Sequence, residues 1–425
     1  MNAMSDSFAV AADIRPVTAK RTPPDERKWV TAACERALSR LAVRRSYHED
    51  PAPLSRAPRR LIAVKVHGMG DAVMVRSLLE HLHRRHPAME IGVLAGPATR
   101  EVLSVGSLFR VHVYDQNKRG FRAIVRSAVA LRRCRYEAVL NFEQGSLAGT
   151  AFLRIIGAPV HIGFVPLHDT TKGAFLTMPL RFREDDPMWT SFVRAMRLVD
   201  ADFPQAPSAL SLPLSTEARR FVRAWLAEKT RLDAPTRPVF KAVFHMGSGP
   251  GQPFRRWPVE RFLALAEQLR AKIPGLVLIL SGTAQERPLI ATFLSRFSAH
   301  AIDASGLGAL EGTAALLAES DLLVSNDTGV MHLGAAMGTP TVGIFGPDSP
   351  GRYAPVGPHT AAVAASGVPC SPCSNIYRLQ VPGACANPDP IRCLRDVTAE
   401  AVIEAARKIV GAPWSTCLQP FRGDR

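Results

Sequence analysis

Short apolar runs alternate with helix-length segments along most of this chain, and this alternation limits the fold more than any other feature. Four runs in the first half are typical of buried parallel strands: LIAVKV (61–66), EIGVL (90–94), VHVYD (111–115) and EAVLNF (137–142). Three segments between them carry apolar residues at helical spacing: 72–86, 97–105 and 121–133. Because right-handed crossovers place helices on both faces of a parallel sheet, we expect a doubly wound α/β domain.

The pattern weakens over 179–213, where prolines punctuate a polar stretch, and then restarts. The second half has four strand-like runs: VFKAVF (239–244), LVLIL (276–280), DLLVS (321–325) and TVGIF (341–345). Helices are predicted at 215–228, 259–273 and 287–297. Two doubly wound domains joined by a hinge form a cleft that faces the carboxyl ends of both sheets, where such sheets bind ligands.

The same pattern predicts the domain limits. We expect an N-terminal extension at 1–57 with one helix near 26–41, a first domain at 58–213, a second domain at 214–410 and a tail at 411–425. A Pro- and Gly-rich loop at 368–395 belongs to the second domain.

The chain is strongly basic. Its 425 residues include 53 Lys and Arg against 37 Asp and Glu, which gives a net charge of +16 and favours anionic partners. The basic residues are spread along the chain and no nucleic-acid-binding signature with interleaved aromatic residues is present, so we expect no nucleic acid partner and favour a phosphorylated or lipid-bound acceptor. No apolar run approaches the roughly 18 to 20 residues that span a bilayer, and the acidic start is unlike a secretory signal. We expect a soluble, cytoplasmic protein.

The first predicted strand runs into HGMGD (67–71) and then directly into a helix. Gly68 and Gly70 would let a ligand approach the backbone N–H groups at the helix start. Asp71 lies at this predicted ligand-binding turn. The alternative is that Asp71 only caps the helix.

The strand at 239–244 is followed by HMGSGPG (245–251) and FRRWP (254–258), a pattern that resembles a diphosphate cradle. Small residues around Ser248 expose backbone donors, and Arg255 or Arg256 can supply charge to a leaving phosphate. Pro258 is predicted to be the first residue of the next helix. The alternative is a flexible loop with solvated arginines.

The most distinctive stretch is DLLVSNDTGVMHLGAAMGTPTVGIFG (321–346). A strand ends in a polar segment that contains Asp327, Thr328 and Gly329, and a short helix that carries His332 follows. The helix start offers N–H groups to an anion, and Asp327 and Thr328 can hydrogen-bond sugar hydroxyls. Alternatively, Asp327 is only a cap and His332 is a satisfied histidine on the helix face.

Together these stretches resemble glycosyltransferase family 9, which includes the ADP-heptose lipopolysaccharide heptosyltransferases. The likeness covers about residues 60–410, and its most specific segments are SNDTGVMHLGAAMGTPTVGIFGP (325–347), FRRWPVERF (254–262) and VKVHGMGDAV (64–73). It implies the GT-B fold, in which two Rossmann-like domains face each other across a cleft. It also implies a reaction that inverts the anomeric centre without a catalytic metal ion.

The resemblance also implies residue roles. Asp71 would be the general base that deprotonates the acceptor hydroxyl, and Lys65 lies in the same family segment. Glu286 would bind ribose hydroxyls. Pattern and resemblance together give the donor-binding set: Ser248, Arg255, Arg256, Glu286, Asp327, Thr328, Gly329 and His332.

Three positions depart from the family pattern. Arg255 stands where members often carry Lys, and Ser77 and Val330 stand where members usually carry Pro. A guanidinium binds phosphate in a different geometry from an ammonium group, so these differences bear on specificity more than on chemistry.

Four of the seven cysteines lie in the loop at 368–395: Cys370, Cys373, Cys385 and Cys393. Because four thiolates can enclose one tetrahedral ion, we expect a structural iron or zinc ion, with reduced or disulfide-linked cysteines as the alternative. This loop resembles that of the heptosyltransferases that modify autotransporter proteins. Those enzymes carry a four-cysteine iron site. That resemblance implies an alternative acceptor, the hydroxyl of a serine on a protein.

We therefore predict transfer of a heptose from ADP-heptose to a lipopolysaccharide core acceptor, without a cofactor in catalysis and with peripheral contact to the inner face of the cytoplasmic membrane. Protein O-heptosyl transfer and a non-catalytic nucleotide-binding module are the alternatives. A dehydrogenase is disfavoured because the first turn lacks GxGxxG and no acidic residue clearly follows the second strand.

Overall fold

The computed structural model describes residues 50–114, 121–144, 147–166, 171–183, 185–205, 209–230, 239–249, 252–297, 299–307, 310–374 and 384–411. Parts of several sequence predictions lie outside these residues. They are the extension up to residue 49 with its helix near 26–41, the last residue of the strand at 111–115, residues 250 and 251 of the phosphate cradle, residues 375–383 of the cysteine loop, and the tail from 412 onward. Within the described ranges, no helix is both long and apolar enough to cross a membrane.

The first half forms a parallel sheet. Its strands are β1 (Arg60–Lys65), β2 (Glu90–Ala95), β3 (Arg110–Val113), β4 (Ala138–Asn141), β5 (Val160–Val165) and β6 (Met178–Arg181), in the order β3-β2-β1-β4-β5-β6. The helices are α1 (Met69–Arg85), α2 (Arg100–Ser104), α3 (Phe121–Arg133), α4 (Leu147–Leu153) and α5 (Met188–Val199), with 3₁₀ turns at Val105–Ser107, Arg154–Ile156 and Thr171–Phe175. The order is that of a Rossmann domain, in which ligands bind where β1 and β4 diverge.

The second half repeats this topology. Its strands are β7 (Phe240–His245), β8 (Leu276–Ser281), β9 (Ala301–Asp303), β10 (Leu322–Asn326), β11 (Thr341–Phe345) and β12 (Thr360–Ala364), in the order β12-β11-β10-β7-β8-β9. The helices are α6 (Thr216–Thr230), α7 (Val259–Lys272), α8 (Arg287–Leu294), α9 (Leu310–Ala318), α10 (Gly329–Ala336), α11 (Pro350–Tyr353), α12 (Arg392–Arg395) and α13 (Ala399–Val410), with 3₁₀ turns at Pro253–Arg255 and Ala284–Glu286. The prediction of two doubly wound parallel sheets is confirmed.

Some elements differ from the sequence predictions. Strand β6 lies within the stretch where the pattern weakens; it is an edge strand with mixed burial, so it needs no continuous apolar run. The prediction that Pro258 is the first residue of its helix is wrong. Its ψ of 142° is outside the helical range, so it is the N-cap and α7 begins at Val259.

The two sheets share one apolar cluster. Val73 of α1, Leu333 of α10 and Leu323 of β10 are all fully buried and belong to the same cluster, which continues from the first sheet into the second. Helices α1 and α10 pack directly against each other. Each of these helices follows the carboxyl end of a central strand, so this packing brings the two ligand-binding edges together.

Candidate functional site

Lys65, the last residue of β1, lies between two carboxylates. Its side chain is only 3% exposed, and its Nζ is 2.9 Å from Asp71 Oδ2 and 3.5 Å from Glu143 Oε1. Burial by itself would lower the pKa of Lys65, but the two carboxylates raise it above its usual value. Lys65 is therefore charged at neutral pH and orients both carboxylates.

Glu143 follows β4 and holds the turn between β1 and α1. Its Oε1 accepts hydrogen bonds from the backbone N–H groups of Val66 (2.7 Å) and His67 (3.0 Å), and its Oε2 lies 3.1 Å from His67 Nδ1. Burial would raise the pKa of Glu143, but the Lys65 ammonium and the His67 hydrogen bonds hold it well below its usual range. The sequence analysis did not single out Glu143; a charged residue after an apolar strand next to the switch point was the available signal.

Asp71 lies in the first turn of α1 but does not cap the helix. Gly68 is the N-cap, with φ of 80°, and no side chain donates or accepts a capping hydrogen bond there. This positive φ favours glycine at position 68. The capping alternative is therefore wrong, and the Asp71 carboxylate faces Lys65 instead.

Arg255 is the centre of the second-domain site. Its Nη2 donates to Asp327 Oδ2 at 2.6 Å, its Nη1 donates to Gln252 Oε1 at 2.7 Å, and its Nε lies 2.8 Å from Asp348 Oδ2. The contact with Asp348 is ionic and lacks hydrogen-bond alignment. The guanidinium is thus held between two carboxylates at the carboxyl ends of β10 and β11.

Asp327 is the more perturbed of these two carboxylates. Burial raises its pKa to about 6, with Asp348 adding to the shift and Arg255 opposing it. Asp348 itself was not predicted as a site residue, and it lies just beyond the family segment that ends at residue 347.

Ser248 and Arg256 are joined by a hydrogen bond. Arg256 Nε donates to Ser248 Oγ at 3.0 Å, and Ser248 Oγ donates to the carbonyl of Gln252 at 2.8 Å. Arg255 and Arg256 are both half-buried. The alternative of solvated arginines is therefore wrong for the described residues of this loop.

Asn326 anchors the loop that carries Ser248. Its Oδ1 accepts from the backbone N–H of Trp257 at 2.9 Å, and its Nδ2 donates to the carbonyls of Met246 (2.8 Å) and Gly247 (3.0 Å). The side chain is fully buried. Because every polar atom of this amide is paired, Asn326 fixes the loop at the end of β10.

Glu286 lies against the same loop and has a structural role as well. Its Oε2 accepts from Thr283 N (2.8 Å) and Thr283 Oγ1 (3.0 Å) in a capping box. A Cβ added at Gly247 would collide with the Glu286 carboxylate, so the loop backbone approaches it closely. Glu286 therefore lies near the Ser248 loop, and its contact with ribose hydroxyls stays a prediction.

The start of α10 carries the remaining predicted residues. Thr328 is the N-cap in an extended conformation, and its Oγ1 pairs with Ser325 Oγ at 3.2 Å instead of capping the helix. His332 is 3% exposed, and burial lowers its pKa to about 4, so the ring is neutral at pH 7. Its Nδ1 has no hydrogen-bond partner among the described residues, so the satisfied-histidine alternative is not what the structure shows.

The two domains meet at these helix starts. A Cβ added at Gly70 would lie 2.5 Å from His332 Cδ2, and one at Gly329 would collide with Met69. Asp71 is close enough to affect the pKa values of both Asp327 and His332, although burial is the larger cause for each. The structure thus brings Asp71 together with second-domain residues, as the cleft prediction requires.

The sequence model of glycosyltransferase family 9 (heptosyltransferase) matches residues 124–380, which is more than half of the chain. The chain belongs to glycosyltransferase family 9. The family resemblance is therefore confirmed, and the protein is a glycosyltransferase.

Known proteins agree with this family 9 assignment. The lipopolysaccharide core heptosyltransferase OpsX of Haemophilus influenzae is 21% identical over 304 residues, covering 70% of this chain and 82% of that protein. A family 9 glycosyltransferase from Veillonella parvula has a TM-score of 0.67 at 20% identity, covering 84% and 99% of the two chains. The E. coli ADP-heptose lipopolysaccharide heptosyltransferase II has a TM-score of 0.63 at 20% identity, covering 83% and 98%. The GT-B fold prediction is confirmed.

The cysteine loop of this family 9 chain contains free thiols. Cys393 is buried, Cys385 is half-buried, and Cys370 and Cys373 are exposed. Burial raises the pKa of Cys393 to about 11, and the other three cysteines add to the shift, so all four lie near one another. Among the described residues, no group of three or more His, Cys, Asp or Glu side chains is arranged to hold a metal ion. The disulfide alternative is wrong for these four residues.

Proposed function

We propose that this glycosyltransferase transfers a heptose from ADP-heptose to a saccharide of the lipopolysaccharide core. The printed activities of its relatives support this donor and this acceptor class. One observation carries the proposal for the site. The start of α1, which carries the first-domain carboxylate Asp71, packs against the start of α10, where His332 lies over Gly70.

Asp71 is the proposed general base. It takes the proton of the acceptor hydroxyl while that oxygen bonds to the anomeric carbon of the heptose. The bond from this carbon to the diphosphate oxygen breaks, and its electron pair leaves with ADP. Attack opposite the leaving group inverts the anomeric centre, and Lys65 keeps the Asp71 carboxylate oriented from 2.9 Å.

The second domain is proposed to stabilise the leaving diphosphate. Arg255, Arg256, the backbone around Ser248 and the start of α10 can all direct positive charge or N–H groups at the phosphates. Arg255 would exchange part of its contact with Asp327 for a phosphate oxygen. Asp327 and Thr328 would then accept or donate hydrogen bonds to sugar hydroxyls, and Glu286 would reach the ribose.

Donor and acceptor can be tested together. Purified full-length protein is incubated with ADP-heptose and a delipidated core saccharide, ADP release is followed, and the product is identified by mass spectrometry. We expect acceptor-dependent ADP release and a heptosylated saccharide, with UDP-glucose and GDP-mannose as inactive control donors. Turnover of a control donor without any ADP-heptose turnover would contradict the donor, and heptosylation of a protein serine alone would contradict the acceptor.

We also propose that the enzyme works in the cytoplasm in peripheral contact with the membrane, because a lipid-linked acceptor lies at that surface. Fractionation of cells that express the full chain should place part of the protein with membranes, in a form that high salt releases. Protein that stays in the soluble fraction at low salt would contradict this location.

For the cysteine loop we propose a structural iron or zinc ion held by Cys370, Cys373, Cys385 and Cys393. The thiols are near one another, and the N–H of Ile391 and the amide of Asn387 already donate to Cys385 Sγ (3.3 Å) and Cys370 Sγ (3.2 Å). The ligand chemistry fits, although the described arrangement would have to contract around the ion. The ion would shape the loop and leave no open position for catalysis.

Elemental analysis of the purified chain tests this ion. We expect about one iron or zinc per chain, lost in Cys370→Ser/Cys373→Ser and kept in the control Cys134→Ser, which lies outside the loop. Equal metal content in both variants, or none in the unmodified protein, would contradict the proposal.

A further inference from the structure

Helix α3 and the 3₁₀ turn Arg154–Ile156 carry a basic surface that the proposed reaction does not use. We call this surface the arginine face. Its five charged side chains are all exposed: Arg126, Arg132, Arg133, Arg135 and Arg154. The helix and the turn pack against each other, and a Cβ added at Gly157 would lie 3.5 Å from the Arg132 guanidinium carbon.

Two apolar side chains are also exposed on these elements. Val129 is 42% exposed and Ile155 is 47% exposed, although both belong to residue types that usually lie in cores. Arg126, Val129 and Arg133 recur at helical spacing, so they lie on one side of α3. The arginine face therefore combines positive charge with apolar groups.

Among the described residues, the charge of this face is not balanced locally. Between residues 115 and 137 the sequence contains no Asp or Glu. The neighbouring carboxylates are engaged elsewhere, since Glu90 pairs with Arg60 and Glu137 accepts from the backbone N–H of Arg59. In the described part of the chain, no ion pair reaches any of the five arginines.

The arginine face points away from the second domain. Leu131 of α3 packs with Ile62 and Val64 on one side of the first sheet, whereas Val73 of α1 packs with Leu61 on the other side. Helix α1 is the one that meets α10, so α3 lies on the opposite, outer side. Helix α3 begins at the carboxyl edge of the sheet and runs back to the amino edge before β4, so Arg132, Arg133 and Arg135 lie at the edge away from the site.

We propose that the arginine face docks the enzyme on an anionic phospholipid bilayer, with Val129 and Ile155 entering the headgroup region; this deepens the proposed function, which supplies the lipid-linked acceptor. Guanidinium groups bind lipid phosphates, and a bilayer offers apolar material next to that charge. Binding of single-stranded nucleic acid uses exposed aromatic rings for stacking, and the described exposed side chains of this face include none.

Vesicle co-sedimentation of the full chain tests the docking surface. The variant Arg126→Gln/Arg133→Gln/Arg154→Gln is compared with the control Arg270→Gln/Arg296→Gln/Arg407→Gln, which removes the same charge from exposed arginines of the second domain. On phosphatidylglycerol-containing vesicles we expect about a 100-fold loss of affinity for the first variant, from about fivefold per arginine. The control should lose much less, and the unmodified protein should bind pure phosphatidylcholine weakly.

Three results would overturn the proposal: equal losses for the two variants, unchanged binding of the first variant, or equal binding of the unmodified protein to both vesicle types. Loss of single-stranded DNA binding with vesicle binding intact would assign the face to nucleic acid instead. ADP release on a delipidated, soluble acceptor should be unchanged in the first variant. If the unmodified protein releases no ADP, the proposed function fails, while the vesicle result still decides the docking surface.

Discussion

The buried ammonium group of Lys65 orients two carboxylates of the site. Its ammonium group is shared between Asp71 and Glu143, and Glu143 in turn holds the backbone of the β1–α1 turn. A lysine at the end of a buried strand is costly unless it is paired. The two carboxylates therefore stabilise Lys65 and place the proposed base at the same time.

Replacing Glu143 by Gln should destabilise the protein by about 2–4 kcal/mol at pH 7, because a buried charge loses one of its partners. The folded-state pKa of Glu143 lies below its unfolded value of 4.5. Its contribution is therefore complete above pH 4.5 and is lost as the pH falls further toward the folded-state pKa. Urea unfolding at pH 7 and pH 4 should show the difference between variant and unmodified protein narrowing at pH 4.

The control is Glu228→Gln, since Glu228 is an exposed partner of Lys229. We expect this change to alter the free energy of unfolding by less than about 0.5 kcal/mol. A Glu143 variant as stable as this control would show that the pairing of Lys65 contributes little.

The pKa of Asp327 is shifted in the opposite direction from that of Glu143. Burial raises its folded-state pKa to about 6 from 3.8, so the ionised carboxylate destabilises the fold above pH 6, and this cost is relieved as the pH falls through 6. Asp327→Asn should therefore be more stable than the unmodified protein at pH 7.5, by about 1–3 kcal/mol, and the gain should shrink at pH 5. Urea unfolding at the two pH values checks this, with the exposed Asp396→Asn as control.

A loss of stability in Asp327→Asn at pH 7.5 would contradict this reading and would mean that the Arg255 contact outweighs the burial cost. The gain in stability should come with weaker donor binding if Asp327 contacts the sugar. Site residues often carry such a cost.

At the scale of secondary-structure elements, the contact between α1 and α10 depends on glycines, which have no side chain to separate the two helices. Gly70 and Gly329 let the two helix starts approach within van der Waals distance, with His332 lying over Gly70. This packing also explains why the ring of His332 is buried although it lies near the cleft.

Gly70→Ala should lower the free energy of unfolding by about 1–3 kcal/mol, because the added methyl group would lie 2.5 Å from His332 Cδ2. The double variant Gly70→Ala/His332→Ala should recover part of that loss, since the ring that clashes is gone. The matched control is Gly306→Ala, where an added Cβ meets nothing within 4 Å. Equal effects at positions 70 and 306, measured by urea unfolding, would show that the helix contact is not tight.

The sequence predicted the central strands of both sheets and the edge strand β3, but it missed the buried inner strand β5 and the edge strands β6, β9 and β12. Strands β1, β7 and β10 are largely apolar and mostly buried, so their runs were evident, whereas β6 and β12 are half-exposed edge strands with weaker patterns. Most of the site residues in the family segments were found. Glu143, Asp348 and Asn326 were missed because their partners lie at least 69 residues away in the sequence, so a polar residue after a strand does not by itself reveal its role.

For the whole molecule, the two domains are also linked away from the site. Arg352 of α11 donates to the carbonyl of Arg183 at 2.9 Å and lies over the ring of Phe182, 4.6 Å from its centroid. Asp348, which contacts Arg255, lies just before α11. Asp348, at the donor site, and Arg352, at the contact between the domains, therefore belong to one segment of the chain. The domain limits at 58–213 and 214–410 stay a prediction.

The central claim is that a carboxylate from one domain acts on a sugar diphosphate held by the other. The rate of acceptor-dependent ADP release by Asp71→Asn, at saturating ADP-heptose, tests it most directly. We predict a loss of about 10²–10⁴-fold relative to the unmodified protein, because the proton acceptor is removed while ADP binding by the second domain is kept. A rate close to that of the unmodified protein would contradict the claim.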